Sequence, residues 1–151
     1  TIDVVREAVP QALERGVDLG YDGPEPGAPQ LVRLGNPLLL REMVRNLVEN
    51  ALHYAPVQGS GPAVVTARVR ILPLGGGIVI EVEDNGPGVP EGERDHIFQP
   101  FYRVLGSTVD GTGLGLPIVR EIAAQHHAEV GVGDAHPGQT PPGARFTVRF
   151  L

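Results

Sequence analysis

The chain has no cysteine, no lysine and no tryptophan. Without cysteine there can be no disulfide, no thiol nucleophile and no cysteine-ligated zinc, and the redox compartment is left open. Without lysine, all twelve basic residues are arginine, which excludes a Walker A lysine, the strand lysine of protein kinases and Schiff-base chemistry. Any phosphate bound here must be held by other groups. Positive charge is scarce as well, and a net charge of -6 argues against a nucleic-acid partner or an anionic membrane surface. No apolar run approaches the roughly 20 residues needed to cross a bilayer. A secretory signal pattern is missing too, since Thr1 opens on a mixed polar and apolar stretch, and the chain reads as a piece cut from something longer. What is present suits one globular domain spanning residues 1–151, with 41% hydrophobic content and room for a real core.

The most organised stretch runs from Leu38 to Pro56. At about 100° per residue, Leu40, Met43, Val44, Leu47, Val48 and Ala51 form one apolar stripe, while Asn46, Asn50 and His53 stack on another face. Asn36 suits the N-cap, and Pro37 the first helical position, where a missing N–H costs nothing. Two carboxamides one turn apart, with Glu42 and Glu49 beside them, offer an oxygen-rich line able to give a hard cation one ligand. The competing reading of this helix alone is a solvated polar face.

Elsewhere Ile2, Val5, Val9, Ala12 and Leu13 recur at helical spacing and predict a first helix over Ile2 to Arg15, divided or kinked at Pro10 and stopped at Gly16. Val17 to Tyr21 and Gln30 to Leu34 read as short strands paired in a hairpin around a loop rich in proline and glycine. Pro56 to Pro62 is a second loop of the same kind. Val65, Ala67, Val69 and Ile71 alternate with Thr66, Arg68 and Arg70, and Ile78, Ile80 and Val82 with Val79, Glu81 and Glu83, with Pro73 to Gly77 as the turn between them. Such strands are apolar mainly on one face. They favour a two-layer α/β sandwich, a mixed and mostly antiparallel sheet with helices on one side. A helix resumes over Leu114 to Ala128, with Pro117 acceptable in its first turn, and a final hairpin joins Ala128 to Val132 with the alternating run Phe146, Val148 and Phe150.

Two loops stand out. Asp84-Asn85-Gly86-Pro87-Gly88 follows a strand and is a strong turn signal, but Val89-Pro90-Glu91 cannot enter a central strand at once. Its glycines would equally let a ligand approach the backbone beside the Asp84 carboxylate. Gly111-Thr112-Gly113-Leu114-Gly115-Leu116 leads into a helix N-terminus, whose free N–H groups form an anion site without lysine; the alternative is a flexible hinge. The preceding segment, Val104 to Asp110, has almost no apolar periodicity and is predicted to be mobile.

In this order, these stretches resemble the ATP-binding signature of the GHKL superfamily, and specifically the catalytic domain of sensor histidine kinases. The resemblance covers nearly the whole chain. Asn46-Leu47-Val48-Glu49-Asn50-Ala51 looks like the N box, Asp84 to Gly88 the G1 box, Ile97 to Arg103 the F box and Gly111 to Gly115 the G2 box. The resemblance implies the Bergerat ATP-binding fold, with Asn50 binding Mg²⁺ and Asp84 accepting a hydrogen bond from the adenine amino group. It implies that Asn46 supports the phosphates, that Tyr54 lies against the adenine and that Gly86 and Gly88 let the base approach. Gly111, Thr112, Gly113, Leu114 and Gly115 would surround the phosphates, with Val104 to Asp110 as the ATP lid and Arg103 helping to neutralise charge. His53 stands where the family often has Lys or Arg, and replaces a permanent charge near the phosphates by one that titrates. Gln99 replaces a common acidic residue of the F box. His126, His127 and His136 read as structural or solvated, and none has the acidic context of a phosphoacceptor.

The expectation is therefore a protein-histidine kinase catalytic domain that binds ATP and Mg²⁺. Its partners would be a phosphoacceptor helical-hairpin domain of the same kinase and, downstream, a response regulator, with no nucleic acid and no membrane contact of its own. Such a domain would be cytoplasmic. The rivals are a GHKL ATPase of the gyrase, chaperone or mismatch-repair type, and a nucleotide-binding interaction module without turnover. The ATPase places a carboxylate one turn before the metal asparagine, where this chain has Asn46.

Overall fold

A computed structural model describes residues 1–24, 35–55, 62–100 and 115–150. Helix α1 (Ile2–Arg15) leads into strand β1 (Val17–Asp22), and helix α2 (Pro37–Tyr54) into β2 (Ala63–Ile71) and β3 (Ile78–Asp84). Helix α3 (Gly115–Gln125) precedes β4 (Glu129–Asp134) and β5 (Ala144–Phe150). The five strands form one sheet in the order β1-β2-β3-β5-β4. Among the described residues, only β1 and β2 pair in parallel. Parallel neighbours need a crossover, and α2 supplies it, which lays this helix over the sheet.

Register explains which face the helices cover. Ala67, Val82, Phe146 and Val132 form one cross-strand row, and Val69, Ile80, Val148 and Val130 the next. Of these, Ala67, Val82, Phe146 and Val148, with Ile80, Val130 and Val132 partly buried against them, pack with Met43, Leu47, Val48 and Leu52 of α2 and with Val119, Ile122 and Ala123 of α3, all in one core. The α/β sandwich expected from one-sided strands is the fold observed, the amphipathic period of α2 having placed Met43, Val44, Leu47, Val48 and Ala51 inward.

The other face of the sheet is charged. Arg68 Nε donates to Asp22 Oδ2 at 3.0 Å, and its terminal nitrogens reach Glu81 Oε2 and Glu83 Oε1, each at 3.4 Å. Arg70 pairs with Glu81, and Arg145 Nε with Glu83 Oε2 at 3.0 Å. Glu81 is only 3% exposed, and its pairing with Arg68 and Arg70 allows a carboxylate to be that deep.

Two local expectations change. Pro10 does not divide α1, because its missing N–H frees only the Arg6 carbonyl, on the solvent side of the helix. The helix stops at Gly16, at φ 68°, as expected. Val9 and Leu13, read as part of its apolar stripe, are exposed, and Val4 and Val5 pack inward with Ala12. The hairpin partner proposed for β1, Gln30 to Leu34, lies outside the described residues; among those described, β1 pairs with β2.

Candidate functional site

Helix α2 is fixed at its start before it presents anything. Asn36 Oδ1 accepts the N–H groups of Leu38 and Leu39 at 3.0 and 3.2 Å, as the sequence predicts for an N-cap. The Asn36 N–H in turn donates to His126 Nε2 at 3.0 Å. With Nε2 an acceptor, the imidazole proton sits on Nδ1 and is donated to the Ile122 carbonyl 2.8 Å away. His126 thus ties the end of α3 to the start of α2, the structural role expected of it.

Asn46, Asn50, His53 and Tyr54 are all half-buried along the second half of α2. Asn46 Nδ2 donates to the Glu42 carbonyl at 2.8 Å and to Glu42 Oε1 at 3.3 Å. Because a carbonyl can only accept, the amide orientation is settled and Oδ1 points the other way. A Cβ placed on Gly115 would lie 3.4 Å from that oxygen, so Asn46 faces the N-terminus of α3. Asn50 makes no side-chain hydrogen bond with the described residues, which leaves its carboxamide oxygen available. No cluster of three His, Asp or Glu side chains able to hold a metal occurs among the described residues. A one-oxygen ligand fits Mg²⁺, which keeps most of its shell as water and phosphate. Burial, and then the charge of Arg15, push the His53 imidazole below its ordinary range, so near pH 7 this position is neutral.

The loop after β3 is where the site closes. Val82 faces the core, so Asp84, two residues on, faces it too, in register with Val65, and is 3% exposed. Its Oδ1 accepts the N–H groups of Gly86 at 2.8 Å and Ala144 at 3.3 Å; Oδ2 has no protein partner among the described residues. Burial pushes the Asp84 carboxyl up to about 6 against the pull of those two N–H groups, with Glu83 adding to the rise and His136 opposing it. Asn85 pins the loop from outside, accepting from Val64 N and donating to the Pro62 carbonyl, both at 2.8 Å. Gly86 lies against the Tyr54 carbonyl, which a side chain there would overlap. Beyond Gly88, Arg94 joins the Val89 carbonyl at 3.1 Å to Asp134 Oδ1 at 3.0 Å.

One helix therefore touches both glycine-bearing segments, through Asn46 at Gly115 and through Tyr54 at Gly86. Ile97 is buried and Phe98 stands edge-on to Phe146, with ring centroids 6.3 Å apart, which anchors the start of the F box to β5. Arg103, Gly111, Thr112, Gly113 and Leu114, and the segment Val104 to Asp110, lie outside the described residues. Asn85, Arg94, Gly143 and Ala144 escaped the sequence reading. Only Asn85 carried a signal, as part of a turn tripeptide. A separate apolar hollow of about 610 Å³, lined by Val4, Tyr21, Leu40, Ile80 and Phe150 among others, lies at the opposite end of β3 and contains none of the motif residues.

Residues 35–151 match the family described as histidine kinase-, DNA gyrase B- and HSP90-like ATPase. The chain is 45% identical to the sensor protein QseC of Salmonella typhi over 111 residues, which is 74% of this chain and 22% of that protein. It thus spans less than a quarter of that relative's length. The fold superposes on a mycobacterial sensor histidine kinase, MprB, with a TM-score of 0.79 at 24% identity, over 99% of this chain and 93% of that one. The full-length ShkA in complex with AMPPNP gives a TM-score of 0.77 at 28% identity, covering 98% of this chain and 28% of that one. This chain belongs to the histidine kinase-, gyrase B- and HSP90-like ATPase family and, within it, is the ATP-binding catalytic domain of a sensor histidine kinase.

Proposed function

We propose that residues 1–151 act as one domain that binds ATP with Mg²⁺ and presents the γ-phosphate to a histidine on a separate helical hairpin of the same kinase. The phosphoryl group would then pass to a response regulator. The domain would work in the cytoplasm as part of a membrane-anchored sensor; among its own described residues, no helix is long and apolar enough to cross a membrane. The observation that carries the site assignment is the Asp84 carboxylate, buried in the core face yet with Oδ2 unspent. A buried anion with one free oxygen is matched by a neutral donor such as the adenine amino group.

In this reading Tyr54, Gly86 and Gly88 border the base. Asn50 gives Mg²⁺ its protein oxygen, and the ion supplies charge neutralisation at the phosphates. Asn46 has committed its donor to Glu42, so its remaining oxygen cannot bond a phosphate directly and must act through water or through the α3 N-terminus. Gly115 opens α3, and with Gly111, Thr112, Gly113 and Leu114 it would offer backbone N–H groups to the phosphates. Arg103 is proposed to neutralise charge, and His53 borders the phosphates uncharged at neutral pH. Phosphoryl transfer needs little covalent work from the protein, so these residues position and stabilise.

The decisive experiment uses radiolabelled ATP with the chain alone and then with the helical hairpin of its parent kinase. Alone it should bind ATP without brisk hydrolysis or self-labelling, because Asn46 cannot take a proton from water. Mixed, it should label the hairpin on a histidine, as a phosphoramidate labile to acid and stable to base. Brisk hydrolysis by the lone chain would favour a GHKL ATPase. Tight ATP binding with persistent failure to label the hairpin would favour a module without turnover.

A further inference from the structure

We infer that Gly143 is a positioning residue for the Asp84 carboxylate, and that through it the β4–β5 connection helps to decide which base is accepted. The inference rests on the proposed role of Asp84 as the base acceptor. Gly143 is buried and wedged into the concave side of the loop after β3. A methyl group on it would overlap the Asp84 carbonyl oxygen and come within 3.1 Å of the Asp84 carbonyl carbon and 3.2 Å of Asn85 Cα. These are backbone atoms, which cannot swing aside as the end of a side chain can. Its φ of 68° is also in the left-handed region that disfavours a side chain.

Gly143 holds both ends of that loop. Its N–H donates to the Gly86 carbonyl at 3.0 Å, and its own carbonyl would lie 2.9 Å from a Cβ on Gly88. The next N–H, that of Ala144, is the second donor to Asp84 Oδ1. A segment about 60 residues further along the chain therefore settles which Asp84 oxygen is used up internally and which is aimed outward. Adenine offers a donor amine where guanine offers a carbonyl acceptor, so a fixed carboxylate oxygen discriminates between them only while its aim is held. Gly138 provides a contrast within the same connection: its φ is 82°, equally left-handed, but a Cβ there meets nothing within 4 Å.

The test compares Gly143→Ala, Gly138→Ala and Asp84→Ala, each checked for folding by circular dichroism and titrated with ATP and with GTP, with and without Mg²⁺. Gly143→Ala should bind ATP roughly tenfold or more weakly and lose most of its preference over GTP, matching Asp84→Ala, while Mg²⁺ still strengthens what binding remains. Gly138→Ala should keep the preference. If Asp84→Ala itself keeps it, the base reading fails. If Asp84→Ala loses it and Gly143→Ala does not, only the present inference is overturned, and an equal loss in Gly138→Ala would overturn it as well. Should Gly143→Ala not fold, the unmutated protein still decides by amide NMR. The Gly86 and Ala144 amides should titrate together near pH 6, with a midpoint that ATP lowers and GTP does not. An Ala144 amide indifferent to that titration would sink the idea.

Discussion

Glu83 and Asp84 are consecutive residues of β3 whose carboxyl groups lie on opposite faces of the sheet and are shifted in opposite directions. Burial alone would raise Glu83, but hydrogen bonds from Arg68 and Arg145 outweigh it and hold that carboxyl below its ordinary range. Asp84, on the core face, has among the described residues only two backbone N–H groups as partners and is pushed up to about 6. The alternation of a strand thus puts a structural carboxylate and a ligand-seeking one side by side.

For Asp84 the folded state binds its proton more tightly than the unfolded state. Its contribution to stability is therefore greatest below the ordinary value of 3.8 and is lost as pH rises through about 6. Above that range the charged form costs the fold on the order of 3 kcal/mol. Asp84→Asn keeps an oxygen for Gly86 and Ala144, so it should be more stable than the parent at pH 7.5 by about 1–3 kcal/mol in urea unfolding, with the gap closing towards pH 4. It should also bind ATP roughly tenfold or more weakly. A variant less stable than the parent at pH 7.5 would contradict the assignment.

Glu83 has the opposite sign. Its stabilisation is present above the ordinary glutamate value of 4.5 and is lost as pH falls through the depressed folded value. Glu83→Gln should cost on the order of 1 kcal/mol at pH 7, less at high salt because Arg145 is partly exposed, and nothing in strong acid. Melting curves across pH 3 to 7 check it; a constant difference at all pH values would mean that charge is not involved.

Asn50→Ala is expected to abolish the strengthening of ATP binding by Mg²⁺ while leaving the melting temperature nearly unchanged, since Asn50 bonds no described residue. Calorimetric titration with and without the ion reads this directly. Retention of the full Mg²⁺ effect would remove Asn50 from the metal site.

His126 and Asn36 should be energetically coupled. Each of His126→Ala and Asn36→Ala should destabilise by about 1 kcal/mol, the first by removing the hydrogen bond that ties the end of α3 to Asn36 and the second by uncapping α2. Because both act on the same helix start, the double variant should lose less than the two effects added. Strict additivity in urea unfolding would show that the two contacts are independent.

Much of this could be read from residue order alone. The inward stripe of α2 follows from a 3.6-residue period, its start from Asn36 and Pro37, and the mainly one-sided sheet from alternation in β2, β3 and β5. Each depends on residues within a few positions of one another, and the four ordered motifs identified the family. Tertiary structure decided the rest, because it depends on groups far apart in sequence. Pro10 was tolerated because the carbonyl it frees faces water. The neutral state of His53 follows from burial near Arg15. Above all, the sequence marked Asp84 as a carboxylate beside glycines but was silent on its burial, its raised pKa and its single free oxygen. Those come from Val65, Gly143 and Ala144, brought to it by strand register, and a carboxylate's ionisation and aim are set by the groups folded around it.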